Sequence, residues 1–375
     1  MCSLPASALA SVALPGGTSE LRRFPLTPAT ADEGWLRVAA SGICGTDVAL
    51  HAKGLSQDTV LGHHVVGELA DVGSRAAQRW GLGVGDRVVV EEYLPCGTCE
   101  ACTTGWYRLC PDTDLWGGGR RIGTIPADEG LFGGNAEYLR LPHNAVLHRL
   151  PDGLSWELAA WVLPLANALD WLLDAGAARP GENVVVLGPG YHGLAIAAAA
   201  RSAGAAAVVV CGLPADEERL RLVAALGCET VIFGENDHAA QVRAALGGAG
   251  ADVVLDAAGE DPRTVDLALE LVRQRGRLVL TSPKNPPHAA LDTRKMTRRM
   301  LTVRAVRGRS PEWVTRALDL LASGTSGLER IPTAVVGLAD VGSMLTRLAD
   351  GEGPATPHVV VRPHFPPQKG SRPLC

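Results

Sequence analysis

The sequence predicts an α/β protein in which an irregular β-rich region precedes a doubly wound parallel sheet. Three observations carry this. Residues 1–164 are rich in glycine and in short β-type runs such as Trp35-Leu36-Arg37-Val38, Val65-Val66-Gly67-Glu68-Leu69 and Asp86-Arg87-Val88-Val89-Val90, the texture of an all-β domain with loops. Residues 165–307 alternate continuous apolar strands with helical segments, which implies a parallel sheet buried on both faces. A glycine-rich turn joins the first of those strands to an alanine-rich helix.

Strands in the second region are expected at Asn183–Leu187, Ala207–Cys211, Thr230–Phe233, Asp252–Leu255, Arg277–Thr281 and Leu301–Val306, with helices such as Glu217–Leu226 and Thr264–Val272 between them. Six strands make a full dinucleotide-binding sheet. Residues 308–375 hold one amphipathic helix, Pro311–Ala322, then a strand, His358–Val361, and a proline-rich tail from Arg362 to Cys375 expected to fray. No internal repeat is present.

The chain has 375 residues, of which 46% are hydrophobic and 20% charged, with a net charge of -5. This is a globular balance with room for two domains. No basic field argues for nucleic acid, and no run of about 18 apolar residues argues for a membrane span. The N-terminus has no positive segment and no cleavage site. These features lead us to expect a cytoplasmic protein acting on small molecules, with neither nucleic acid nor membrane as partner. Nine cysteines, partly clustered in a large chain without a signal peptide, point to metal binding rather than disulfides.

Cys96-Gly-Thr-Cys99-Glu-Ala-Cys102 is followed by Cys110. Four thiolates so spaced can close a tetrahedron around one zinc and leave no open position, which makes the site structural. Gly97 and Gly105 permit the tight turns. An iron–sulfur cluster also takes four thiolates, but at other spacings.

Val184-Val185-Val186-Leu187 runs into Gly188-Pro189-Gly190-Tyr191-His192-Gly193. Between a strand and a helix, this pattern binds dinucleotides. Gly188 makes the turn, Gly190 lets pyrophosphate approach, and Gly193 allows helix and strand to pack closely. The helix N-terminus offers its positive end to the phosphates. A packing turn without ligand is the plainer alternative. His192 is either a spacer on the first helical turn or a group near the coenzyme phosphates.

Coenzyme choice falls at the end of the next strand, at Gly212. An acid there would grip the ribose hydroxyls of NAD and repel a 2′-phosphate. Its absence favours NADP over NAD. Arg219 and Arg221 are the nearest arginines, and Asp216 could supply an acid from a shifted position.

Gly42-Ile43-Cys44-Gly45-Thr46-Asp47 precedes His51, and Gly62-His63-His64 follows. Cys44 and His63 are a ligand pair suited to a catalytic zinc, which keeps one position open to polarise an alcohol or carbonyl oxygen. Thr46 could carry the substrate proton and His51 relay it to solvent. Taken singly, each of these residues could equally be core or surface.

With these motifs together, the chain resembles the zinc-containing medium-chain dehydrogenase/reductase family of alcohol, sorbitol and threonine dehydrogenases. The resemblance rests on Gly42–Asp47 with His51, Gly62-His63, Gly85-Asp86-Arg87-Val88, the cysteine loop, Gly188–Gly193 and Asp256-Ala257-Ala258-Gly259, and covers roughly residues 8 to 361. It implies a GroES-like catalytic domain (residues 1–164) completed by residues 308–375, a Rossmann domain (165–307) with a cleft between them, hydride transfer between a substrate carbon and nicotinamide, and a homodimer or homotetramer.

Two positions depart from the family. His64 stands where the family has glutamate, and Leu163, which cannot bind zinc, stands where a third ligand is usual. Three readings follow. His64 serves as third ligand; or zinc binds weakly and only with substrate; or the catalytic zinc is gone, and Thr46, His51 or His64 polarises the oxygen. The leading function is an NAD(P)-dependent dehydrogenase of a small hydroxylated substrate. The alternatives are a zinc-free reductase of an activated alkene, which Leu163 favours, and a dinucleotide-binding protein without turnover, against which Thr46 and His51 argue.

Overall fold

A computed structural model describes residues 4–234, 237–287 and 291–364. The tail expectation beyond His364 lies outside the described residues. The chain divides into two compact units. One holds the described residues through Val162, together with Thr333–Pro354 and those from His358 on; the other holds Leu163–Pro332 and Ala355–Pro357. The second unit therefore runs past residue 307, and the helix Pro311–Ala322 belongs to it, burying Trp313, Val314, Ala317, Leu318 and Leu321.

The first unit begins with an antiparallel pair, β1 (Ser7–Leu14) and β2 (Thr18–Pro25). Its main sheet contains β3 (Gly34–Gly42), β4 (His64–Val72), β5 (Arg87–Val90), β6 (Tyr138–Leu141) and β7 (Leu147–Arg149). β3 pairs with β4, β4 with β5 and β5 with β7, while β6 also lies on β3, all antiparallel. The far C-terminal strand Val359–Val361 extends the other side, with Val360 opposite Gly42 and Val361 opposite Ser41, and Ala334–Val336 pairs parallel to it at the edge. Leu36, Val38, Val65, Leu69, Val88 and Val90 fill one core face. The close spacing is enforced by glycine: a Cβ at Gly67 would stand 2.3 Å from the Arg37 carbonyl oxygen.

The second unit is a six-stranded parallel sheet. Its strands are β8 (Asn183–Leu187), β9 (Ala207–Gly212), β10 (Glu229–Ile232), β11 (Ala251–Asp256), β12 (Val272–Leu280) and β13 (Thr302–Ala305). They lie in the order β10-β9-β8-β11-β12-β13, the reversal at β8/β11 that marks a doubly wound dinucleotide fold. All six expected strands are present. β12 starts earlier than expected because it pairs across an irregularity, from Ala251–Val272 to Val253–Arg277. In the helix Tyr191–Ser202, Ala195 and Ala197–Ala200 are fully buried together with Ile196; the alanine side chains are small enough to let the helix lie close to the sheet.

Trp156–Ala175 is long and apolar enough to cross a membrane, but 83% of it is buried inside the protein, as in a core helix. It ends in a π-helical segment, Asp170–Ala175.

Candidate active site and metal centres

Strand pairing builds the first centre. β3 ends at Gly42 opposite His64, the first residue of β4. The chain therefore leaves β3 through Cys44 at the point where it enters β4 through His63. The ligand atoms of Cys44, His63 and His64 all lie within 4.8 Å of one another, and the two imidazoles meet edge to face with centroids 4.6 Å apart. Neighbours on a strand point to opposite faces, but His63 precedes the strand, so both rings reach the same place.

Asp47 holds this arrangement. It is the third residue of the helix Gly45–Lys53 and is 1% exposed. One carboxylate oxygen accepts from the Cys44 amide at 2.9 Å; the other accepts from the Gly62 amide at 3.0 Å and faces His63 Nδ1 at 3.1 Å. A single buried carboxylate thus joins both halves of the centre. Burial pushes the His63 pKa down, but Asp47 and then Cys44 outweigh it and hold the imidazole well above its ordinary value. With a proton on Nδ1 directed to Asp47, the Nε2 lone pair is the one left for a metal.

Thr46 is exposed at the start of the same helix, its hydroxyl 3.9 Å from Cys44 Sγ. His51 lies further along it and is only 2% exposed, with Nε2 3.4 Å from Ser19 Oγ. Burial lowers its pKa. Leu163 is 1% exposed and belongs to the second unit.

The second centre is local. Cys96, Cys99, Cys102 and Cys110 bring their sulfurs within 4.8 Å of one another. Gly97 (φ 79°) and Gly105 (φ 83°) make the left-handed turns that let the loop close. Amide groups point at the sulfurs: Cys99 N–H donates to Cys96 Sγ at 3.3 Å, Thr98 N–H to the same sulfur at 3.5 Å, and Cys96 N–H to Cys110 Sγ at 3.4 Å. The Thr98 and Cys99 amides lower the Cys96 pKa to about 6, whereas burial pushes Cys102 up to about 12. Below the loop, Glu91 is fully buried and accepts from Tyr107 Oη at 2.6 Å, with His148 Nε2 2.7 Å away. Tyr107 lies between Cys102 and Cys110, so this network pins the loop to β5.

In the second unit, Gly188 adopts φ 96°. A Cβ at Gly193 would lie 1.9 Å from the Gly188 carbonyl oxygen, so only glycine lets the helix start there. At Gly190 a Cβ would meet nothing within 4 Å, which leaves the backbone open to a ligand. Beside this turn lies a cavity of about 510 Å³, lined among others by Gly188, Gly190, Gly212, Asp216, Arg219 and Ala258. Thr264 lines the cavity and donates Oγ1 at 2.7 Å to the buried Asp256 carboxylate, which also pairs with Lys284 Nζ at 2.8 Å. Next to Gly212, Asp216 accepts from the Leu213 amide and from Arg219 Nη1, both at 3.1 Å.

Each expected group of residues is thus assembled within one unit: Cys44, His63 and His64; the four loop cysteines; and Gly188, Gly190, Gly193 and Gly212. Sequence reasoning gave no role to Asp47, Glu91, Tyr107 or His148. Asp47 had a signal, since an acid three residues after the residue preceding a helix is the reciprocal half of a capping box. Glu91, Tyr107 and His148 had none, because their meeting depends on β5 pairing with β7.

Residues 30–152 match the alcohol dehydrogenase GroES-like domain, and residues 193–323 match the zinc-binding dehydrogenase domain. A protein of Mycobacterium tuberculosis (strain ATCC 25618 / H37Rv), described as "Probable alcohol dehydrogenase adh", is 35% identical over 92% of this chain and 95% of its own length. The sorbitol dehydrogenase of Bacillus subtilis (strain 168) is 34% identical over 70% of this chain and 71% of its own. Among solved structures, one from Sinorhizobium meliloti 1021 bound to NADP superposes with a TM-score of 0.82 at 25% identity, covering 96% of this chain and 100% of the other. The motifs, the fold and these relatives agree, and the chain belongs to the zinc-type medium-chain dehydrogenase/reductase family as an alcohol dehydrogenase-like oxidoreductase of small molecules.

Proposed function

We propose that the enzyme moves a hydride between a nicotinamide dinucleotide and the carbinol or carbonyl carbon of a small hydroxylated substrate. In this reading one zinc sits on Cys96, Cys99, Cys102 and Cys110, and a second on Cys44, His63 and His64. The convergence of those last three ligand atoms within 4.8 Å carries the reading. Three protein ligands are the share of a catalytic zinc, with the fourth position open. Zinc bound there would polarise the substrate oxygen. Leu163 offers no donor, and His64 supplies the third from within the first unit. Asp47 fixes the His63 tautomer. Thr46, exposed beside Cys44, takes or returns the substrate proton, and His51, whose pKa burial lowers, accepts it and passes it on.

The coenzyme would donate or accept the hydride. Gly188, Gly190 and Gly193 hold its pyrophosphate, and the cavity beside Gly212 takes the adenosine half. We favour NADP. The Asp216 carboxylate already accepts from the Leu213 amide and Arg219, while Arg219 keeps further donors for a 2′-phosphate. Enclosure of four free thiols in one loop suits a reducing cytoplasm. A homodimer or homotetramer fits as well: β13 ends the sheet, and its outer edge pairs with no strand among the described residues.

Turnover of an alcohol and polyol panel with NADP and NAD tests this. Activity should fall at least about a hundredfold in Cys44→Ser. Undiminished alcohol turnover in the variant would overturn the zinc reading, and alkene reduction untouched by it would favour the zinc-free alternative. NADPH should bind more tightly than NADH, and Arg219→Ala should erase the difference; a tenfold preference for NADH would overturn that assignment.

A further inference from the structure

The strand order sets where the parts of a dinucleotide would lie. β8, β9 and β10 are successive neighbours in the sheet, about 4.8 Å apart. The glycine turn follows β8 and Gly212 ends β9, so pyrophosphate and ribose belong there. The next stop along the cavity is the end of β10. Its walls at that end include Leu213, Phe233, His238 and Leu267, and Leu213 is 59% exposed although apolar. An apolar wall with one polar group suits a flat base rather than a phosphate.

His238 is that polar group. It is the first residue of the helix His238–Ala245, whose start is capped by the Asp237 carboxylate accepting from the Ala240 amide at 3.1 Å. Its ring stacks on Phe233, with centroids 4.4 Å apart and planes inclined by 19°. Its Nε2 lies 2.9 Å from the Gly234 carbonyl oxygen. A carbonyl only accepts, so Nε2 carries the proton. The neutral ring then leaves Nδ1 as a lone-pair acceptor, and nothing among the described residues donates to it.

We propose that His238 reads the base of the coenzyme, its Nδ1 accepting the exocyclic amine of adenine while Phe233 holds the imidazole plane. The inference rests on the coenzyme reading above and adds to it a residue that selects the base. Contacts to pyrophosphate and ribose are blind to the base, so selection needs a group at the far end of the cavity. A base with a ring carbonyl in the amine's place would set its oxygen against the imidazole lone pair and leave both acceptors unpaired.

Equilibrium binding of the tighter-binding coenzyme, NADPH or NADH, and of its analogue with hypoxanthine in place of adenine tests it, with long-range ¹⁵N–¹H spectra of histidine-labelled protein alongside. Wild type should bind the adenine coenzyme about tenfold more tightly than the analogue, with His238 in the Nε2–H form in the complex. His238→Phe keeps a ring against Phe233 but has no acceptor. It should bind the two within about twofold of each other, with the thermal midpoint nearly unchanged. Wild type that binds the two alike, an Nδ1–H signal for His238, or His238→Phe with the wild-type preference would each overturn the proposal and leave the coenzyme reading standing. Should His238→Phe fail to fold, His238→Ala takes its place with the same expectation. Wild type that binds neither NADPH nor NADH would overturn the coenzyme reading and this proposal together.

Discussion

The two clusters of the first unit that could hold a metal are built on opposite plans. The four-cysteine loop draws all its ligands from a short stretch of chain, Cys96 to Cys110, and closes by its own turns and amide–sulfur bonds. The Cys44–His63–His64 cluster is a meeting of two strand ends, and it holds together because the single carboxylate of Asp47 bridges them. A closed set of four thiolates favours stability, whereas three ligands with one place left favour chemistry. The first cluster should therefore be coupled to folding, and the second to a neighbouring carboxylate and to pH.

The largest expected effect lies in the loop. Cys99→Ser should remove one zinc per chain and cost about 3–5 kcal/mol of stability, seen as a lowered denaturation midpoint, because the metal's binding energy is folding energy. If Cys99→Ser kept wild-type stability, the division of labour between the clusters would be broken.

Next comes Asp47→Asn. It leaves the shape intact but removes the charge that orients His63 and takes the Cys44 and Gly62 amides. Zinc affinity at the second cluster should fall about 10–100-fold while the loop zinc stays, as competition with a graded chelator would show. Equal loss from both clusters would mean that Asp47 supports the whole unit rather than one centre.

The smallest effect is on pH. In the metal-free protein the His63 pKa is raised, with Asp47 and Cys44 outweighing burial. The protonated imidazole therefore adds stability that is fully present below its ordinary pKa of about 6.5 and is lost as pH rises through the raised value. Zinc must displace that proton, so affinity at this cluster should weaken as pH falls through the same range. Calorimetry of chelated protein against pH, with zinc titrations alongside, reads both signs. A midpoint that rises across that range would contradict the role of Asp47.

The same contrast explains what was legible in the sequence. The cysteine loop and the glycine turn are contiguous, so spacing alone revealed them. The six strands of the second unit were legible because parallel strands buried on both faces are continuous apolar runs, as Val253-Val254-Leu255 shows. Long-range pairing hid the rest. Nothing local announces that His148 will face Glu91, or that Arg309 will reach Asn167 and through it His192. The family resemblance places the helix Pro311–Ala322 in the C-terminal part of the first domain, and its amphipathic pattern, which says only that it packs and not against what, could not show that it lies in the second unit.

Metal content per chain, in wild type and in Cys44→Ser, tests the central claim most directly. Two zinc ions in wild type and one in the variant, with the loop zinc retained, are expected. One zinc in both would contradict a metal at Cys44, His63 and His64.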